Sequence, residues 1–272
     1  YIRTTRRKPF VKVSNQPMEQ TTRYRNVILD IEGTLCPISF VKDELFPYFL
    51  KELPSVLDQY KFPLDPTKKS NDAIERILTQ FPSETYQRKE SLLRYINDLV
   101  DKDIKDSTLK QLQGFIWENG YTTGSIMAPL FEDAVEAMKL WSGLCDGLYI
   151  YSSGSVKAQK LLFGNVKTVH SNGSVEWSDM NNLITDYFDT VNIGNKTDVK
   201  SCEKILEKIG VDVNDTEGKK LCLFLSDNPL EVRAALSAGL TSFIIEKPGN
   251  YPLSSDDRDI CPVITNFQAL FG

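Results

Sequence analysis

Val27-Ile28-Leu29-Asp30-Ile31-Glu32-Gly33-Thr34 carries an apolar run into a carboxylate and then breaks at a glycine. Aliphatic residues without polar alternation suit a strand buried on both faces of a parallel sheet, and Gly33 permits the turn after it. Asp30 then stands at the carboxyl end of the strand, the edge on which open α/β sheets bind ligands. Taken alone, the same aspartate reads equally well as a turn cap.

Downstream of that loop, Phe40, Val41, Leu45, Phe46 and Phe49 fall at mostly helical spacings until Pro54, which should interrupt the helix. A proline- and lysine-bearing loop is expected from Lys61 to Asn71. Helical stripes follow over Glu84 to Val100 (Leu92, Leu93, Ile96, Leu99, Val100) and Leu109 to Trp117. No parallel-strand run interrupts this block, so residues 37–124 read as a helical cap inserted after the first strand. Regular alternation begins after Pro129. It comprises a helix over Phe131 to Trp141, a strand Leu148 to Tyr151, a helix Val156 to Phe163 and a short strand Phe188 to Ile193. A helix Val199 to Ile209, a strand Leu221 to Leu225, a helix Leu230 to Ala238 and a strand Ser242 to Ile245 follow. Such alternation predicts an α/β, doubly wound parallel sheet built from residues 24–36 and 125–272.

Residues 1–23 are basic, with Arg3, Arg6, Arg7, Lys8, Lys12 and Arg23 against Glu19, and are expected to be disordered. A mitochondrial transit peptide is the less favoured reading of this extension, with Met18 as an alternative start. The net charge of -5 argues against binding nucleic acid or anionic membranes through overall charge. No stretch approaches the roughly 18 apolar residues of a membrane span. Five scattered cysteines without paired spacing suit a reducing compartment and buried thiols. His170, the single histidine, reads as structural, and no Gly-x-Ser-x-Gly elbow is present.

Three strand ends carry polar groups, and a parallel sheet brings them to one edge: Asp30 and Glu32, then Ser152 to Ser155, then Ser226-Asp227-Asn228. Converging carboxylates of Asp30 and Asp227 would offer hard oxygen ligands to Mg²⁺, which recruits phosphate oxygens as further ligands. The serine loop at a helix start offers hydroxyls and open backbone N–H groups to a phosphoryl group. Lys196 would compensate the negative charge, Asp30 would attack phosphorus, and Glu32 would move the proton. Each group has a plainer reading: the serines as a helix cap, Lys196 as a solvated lysine, and Glu231, after Asn228 and Pro229, as a capping carboxylate.

The order of nucleophile loop, helical insertion, serine loop, lysine and acidic loop resembles the haloacid dehalogenase superfamily. The runs Asp30 to Ile38, Tyr149 to Gly164 and Leu223 to Asn228 are similar to the enolase-phosphatase (acireductone synthase) family of methionine salvage, as are Trp117 to Tyr121 and Lys247 to Asn250. The resemblance covers about residues 26 to 270. It implies a haloacid dehalogenase-like core and one Mg²⁺ per subunit, held by Asp30, the backbone carbonyl of Glu32, and Asp227. It further implies Asp30 and Glu32 as the catalytic pair, with Ser152, Ser153 and Lys196 binding substrate. The expected reaction converts 2,3-diketo-5-methylthiopentyl 1-phosphate through its enol phosphate to the acireductone plus phosphate. The base for enolisation is unassigned, with Glu32 the first candidate, and Asp198 and Cys202 depart from the family pattern. The expected partner is a small phosphorylated diketone, with no nucleic acid and no membrane, for a monomer in the cytoplasm and, by resemblance, the nucleus. The alternatives are a phosphatase of the same fold acting on another ester and a non-catalytic phosphate-binding module.

Overall fold

In the computed structural model, which describes residues 21–68, 70–104 and 106–271, the opening apolar run forms β1 (Asn26–Leu29), buried at every position. The basic extension lies almost wholly outside the described residues. After β1 come a π-helical turn over Val41–Leu45 and the helices α1 (Phe46–Leu57), α2 (Ala73–Leu78), α3 (Lys89–Asp101) and α4 (Ser107–Thr122). The chain continues through β2 (Ala128–Leu130), α5 (Glu132–Leu144), β3 (Gly147–Ser152), α6 (Val156–Phe163), β4 (Val166–Val169), β5 (Val175–Ser178) and β6 (Asp186–Asp189). It ends with α7 (Val199–Lys208), α8 (Thr216–Lys220), β7 (Cys222–Ser226), α9 (Pro229–Ala238), β8 (Thr241–Ile245), α10 (Ser255–Ile260) and β9 (Val263–Ile264).

The main sheet has the order β6-β3-β1-β7-β8-β9, parallel throughout, with β1 between β3 and β7. Successive side chains of a strand point to opposite faces, and β1 shows the consequence. Val27 and Leu29 pack with Ile150, Leu225, Met138 and Trp141 on one face, while Ile28 packs with Tyr151, Phe224, Ile205 and Ala235 on the other. Helices therefore cover both faces, as a doubly wound sheet requires. Each fully buried aliphatic side chain contributes about 1.5–3 kcal/mol, so β1 is anchored on two cores at once.

Helices α1 to α4 enclose a core of their own, built from Phe49, Leu53 and Leu57 of α1, Leu78 of α2, Leu92 and Ile96 of α3, and Leu112 and Ile116 of α4. Pro54 does not interrupt α1: the helix runs through it to Leu57. Burial of Leu53 and Leu57 on either side of Pro54 offsets the lost N–H. The insertion leaves and rejoins the sheet at neighbouring points, where the Phe131 N–H donates to the Leu35 carbonyl at 2.9 Å. Two strand boundaries shift: the segment expected over 188–193 pairs only as Asp186–Asp189, and the chain then turns. A second sheet, β2-β4-β5, has no counterpart in the sequence reading. All five cysteines are free thiols. His170 lies between two glutamates: Glu132 meets its Nδ1 at 2.9 Å and Glu176 its Nε2 at 3.3 Å.

Candidate active site

Asp30 follows β1 directly, and its N–H still donates to the Leu225 carbonyl of β7 at 2.9 Å. The chain then folds back on itself, with the N–H groups of Thr34, Leu35 and Cys36 all directed at the Ile31 carbonyl. Gly33 makes this possible at φ +72°, a conformation that disfavours any side chain. A Cβ there would stand 2.4 Å from Oδ2 of Asp227, so the missing side chain lets the loop after β7 come against the loop after β1. Asn250, in the loop after β8, fastens the contact, its Nδ2 donating to the Gly33 carbonyl at 2.8 Å.

Lys196 is buried and ion-pairs with Oδ1 of Asp30 and, at 2.7 Å, with Oε2 of Glu231. The Ser226 hydroxyl donates to Glu231 at 2.7 Å and lies 3.4 Å from Oδ2 of Asp30, while it accepts the Asn228 N–H at 3.1 Å. Glu231 is thus not the cap of α9. Asn228 caps that helix by accepting the Leu230 N–H, which leaves Glu231 directed inward on Lys196. Burial opposes the charge on Lys196, yet the carboxylates of Asp30 and Glu231 outweigh it and hold the pKa above the ordinary lysine value. Burial and the charge of Asp30 push Glu231 up, with Lys196 opposing the rise. Asp227 is pushed up to about 7 by burial, then by repulsion from Asp30 and Glu231.

Three carboxyl groups around one lysine leave negative charge to be met by something else. The Asp227 shift reports that imbalance, and Oδ1 of Asn250 and Oγ1 of Thr34 are buried without a hydrogen-bond partner beside the same loop. The donors are hard oxygens and fit a divalent ion such as Mg²⁺. Among the described residues no cluster of three or more His, Cys, Asp and Glu side chains forms a metal cage. The fit is therefore to an ion shared with backbone, water and substrate oxygens.

Ser152 ends β3 and is buried; Ser153 is exposed. The loop differs from the expected open N–H cradle. The Val156 N–H is taken by Oδ2 of Asp189 at 3.1 Å, the Ala158 N–H by Oγ of Ser155, and the Gly154 N–H by Oγ of Ser152 at 3.3 Å. Asp198 caps α7 by accepting the Lys200 N–H, and Cys202 lies on the buried face of that helix. Glu32, Ser152 and Ser153 are among the residues that line a cavity of about 640 Å³. Its apolar lining comes from Phe40, Val41 and Leu45, Phe115 and Trp117 of α4, and Leu161 and Leu162 of α6, with Lys110, Gln113 and Lys157 adding polar groups. The Trp117 Nε1–H donates to the Leu45 carbonyl at 2.9 Å, and Lys157 of α6, which lines the cavity, pairs with Glu118 of α4 at 2.5 Å.

The structure brings Asp30, Lys196 and Asp227 together, with Glu32, Ser152 and Ser153 on the adjoining cavity. The residue that sequence reasoning missed is Glu231. Its only signal was an acid four positions after Asp227, which the local helix-start pattern explained equally well.

A strand-end aspartate at the centre of a parallel sheet, with a helical unit inserted directly after it and a lysine from the loop that follows β6, is the architecture of the haloacid dehalogenase-like hydrolases. No protein-family model matches the chain. Enolase-phosphatase E1 of Scheffersomyces stipitis is 47% identical over 246 residues, spanning 90% of this chain and 98% of the relative. Enolase-phosphatase E1 of Debaryomyces hansenii is 48% identical over 244 residues, spanning 90% and 95%. The crystal structure of the UTR4 protein from Saccharomyces cerevisiae, 42% identical, aligns with a TM-score of 0.73 over 91% of this chain and 100% of that one. The chain belongs to the enolase-phosphatase E1 family and is an enzyme, a phosphatase with enolase activity.

Proposed function

We propose that the enzyme converts 2,3-diketo-5-methylthiopentyl 1-phosphate, by way of the enol phosphate, to 1,2-dihydroxy-5-methylthiopent-1-en-3-one and phosphate. The observation that supports this substrate is a single cavity lined both by the polar residues that follow β1 and β3 and by a group of apolar side chains. Glu32, Ser152 and Ser153 suit a phosphoryl group, while Phe40, Leu45 and Trp117 suit a short thioether tail. Residues 37–124 act as a cap that keeps water from the enol on a core of residues 24–36 and 125–272.

In the enolase step Glu32 takes a proton from the carbon that bears the phosphate ester, and the neighbouring carbonyl oxygen gains one to become the enol hydroxyl. In the phosphatase step a carboxylate oxygen of Asp30 attacks phosphorus and the ester P–O bond breaks. Glu32 gives its proton to the departing oxygen. Water, deprotonated by Glu32, then attacks the aspartyl phosphate and releases inorganic phosphate. Lys196, held in place by Asp30 and Glu231, sets positive charge against the transferring group, and Ser152 and Ser153 receive its oxygens. Asp30, Asp227 and the backbone carbonyl of Glu32 would hold one Mg²⁺, which supplies positive charge for enolate and phosphoryl oxygens.

Incubation with the diketo phosphate and Mg²⁺ should release phosphate in step with the ultraviolet absorbance of the acireductone. Asp30→Asn should lower that release by roughly a thousandfold or more. Phosphate release from unrelated esters only would refute the substrate, and full turnover by Asp30→Asn would refute the nucleophile.

A further inference from the structure

Asp189 has no part in the chemistry above, yet its carboxylate touches two loops that do. β6 pairs with β3 so that Asp189 stands beside Ser152. The side chain is buried, 6% exposed. Its Oδ2 accepts the N–H of Val156, the first residue of α6, at 3.1 Å, and its Oδ1 accepts those of Val191 at 2.9 Å and Asn192 at 2.7 Å. Val156 closes the serine loop, and Val191 and Asn192 open the loop that leads to Lys196. One carboxylate therefore spans the phosphate cradle and the approach to the lysine.

Gln159 reinforces the same junction. It is 1% exposed, and its Nε2 donates to the Gly154 carbonyl at 2.8 Å and to the Phe188 carbonyl at 2.9 Å, tying the serine loop to the strand that delivers Asp189. From the lysine side, the Tyr151 hydroxyl donates to the Gly194 carbonyl at 2.8 Å.

We infer that Asp189 is a positioning residue for substrate phosphate, fixing the distance between the Ser152–Ser153 cradle and Lys196, with Gln159 as its partner in that clamp. The inference rests on the phosphatase reading of the site. Its chemical basis is acceptor count. A carboxylate has two acceptor oxygens and serves both loops, whereas an amide has one and can hold only one of them. Misplacing a positioned group by about 1 Å can cost up to a hundredfold, so losing one loop is enough to be measured.

The test uses the full chain and inorganic phosphate as the probe, titrated calorimetrically in the presence of Mg²⁺. Asp189→Asn and Gln159→Met should each raise the phosphate Kd about tenfold, with KM for the diketo phosphate rising in parallel. Mg²⁺ affinity measured without phosphate should stay within about twofold of wild type, a split that general destabilisation would not produce. A phosphate Kd within about threefold of wild type in the folded variants overturns the inference, whatever their melting temperatures. If Asp189→Asn does not fold, Gln159→Met decides alone by the same threshold. Wild-type protein that binds phosphate normally alongside unaffected variants sinks the inference only. Wild-type protein that neither binds phosphate nor turns over an ester sinks the phosphatase reading with it.

Discussion

Asp227→Asn should make the metal-free protein more stable above neutral pH, although it removes a residue assigned to the active site. The Asp227 carboxyl ordinarily ionises near 3.8, and burial with the charges of Asp30 and Glu231 pushes it up to about 7. A group whose folded pKa exceeds its unfolded value binds its proton more tightly in the folded state. Its contribution is therefore complete below about pH 4 and is lost as pH rises through about 7. The span from 3.8 to about 7 corresponds to roughly 2–4 kcal/mol once solvent screening of a partly exposed carboxylate is allowed for. Asparagine keeps the shape and carries no charge, so it avoids that cost. For a chain of this size the gain is roughly 5–10 °C in Tm at pH 8 with a chelator present, shrinking to nearly nothing at pH 4. Thermal unfolding followed by circular dichroism at both pH values reads it directly. Adding Mg²⁺ at pH 8 should raise the melting temperature of the wild type and leave the variant nearly unchanged. A variant that melts at or below the wild type at pH 8 with chelator, with no dependence on pH, would refute the claim that the site holds unmet negative charge.

Two further substitutions probe the same cluster. Lys196→Met leaves Asp30 and Glu231 buried without a cation and should cost about 3–5 kcal/mol in urea unfolding at pH 7. Adding Glu231→Gln should restore at least about 1 kcal/mol of that, and a double variant no more stable than the single one would count against the shared ion pair. Gly33→Ala puts a Cβ 2.4 Å from Oδ2 of Asp227 at φ +72°. It should lower kcat/KM by about a hundredfold while costing only about 1–2 kcal/mol of stability, and wild-type Mg²⁺ affinity in that variant would show the contact to be incidental.

The parts of this site that sequence exposes are those carried by one local run. Val27 to Leu29 is apolar without alternation because it sits in mid-sheet with two cores to fill, and the strand ends at Ser152 and Ser226 announce themselves in the same way. Glu231 was opaque because it sits just after Asn228 and Pro229, where a helix start already accounts for an acid. Only tertiary structure turns its side chain onto Lys196. Asp189 was hidden for a related reason: nothing in Asp186 to Asp189 signals that a carboxylate will collect N–H groups from two loops. The second sheet escaped notice because β2 is three residues long with Pro129 at its centre, and β5 alternates Glu176 and Ser178 with an exposed Val175 and Trp177. Pro54 misled in the opposite direction, since a local rule about proline yields where the flanking leucines are buried.

The single hydrogen bond between Phe131 and Leu35 bears on how the molecule assembles. β1 can pair only with strands far along the chain, Gly147 to Ile150 on one side and Cys222 to Leu225 on the other, so docking it must close long loops. Helices α1 to α4 have a core of their own and leave and rejoin the sheet side by side, which turns most of the intervening chain into a preassembled block rather than a slack loop. The effective loop that β1 must close to reach β3 is then little longer than the path from Phe131 to Gly147. The same junction makes the helical block separable in register: α1 to α4 supply no strand to the main sheet, whose pairings all lie outside residues 46–122.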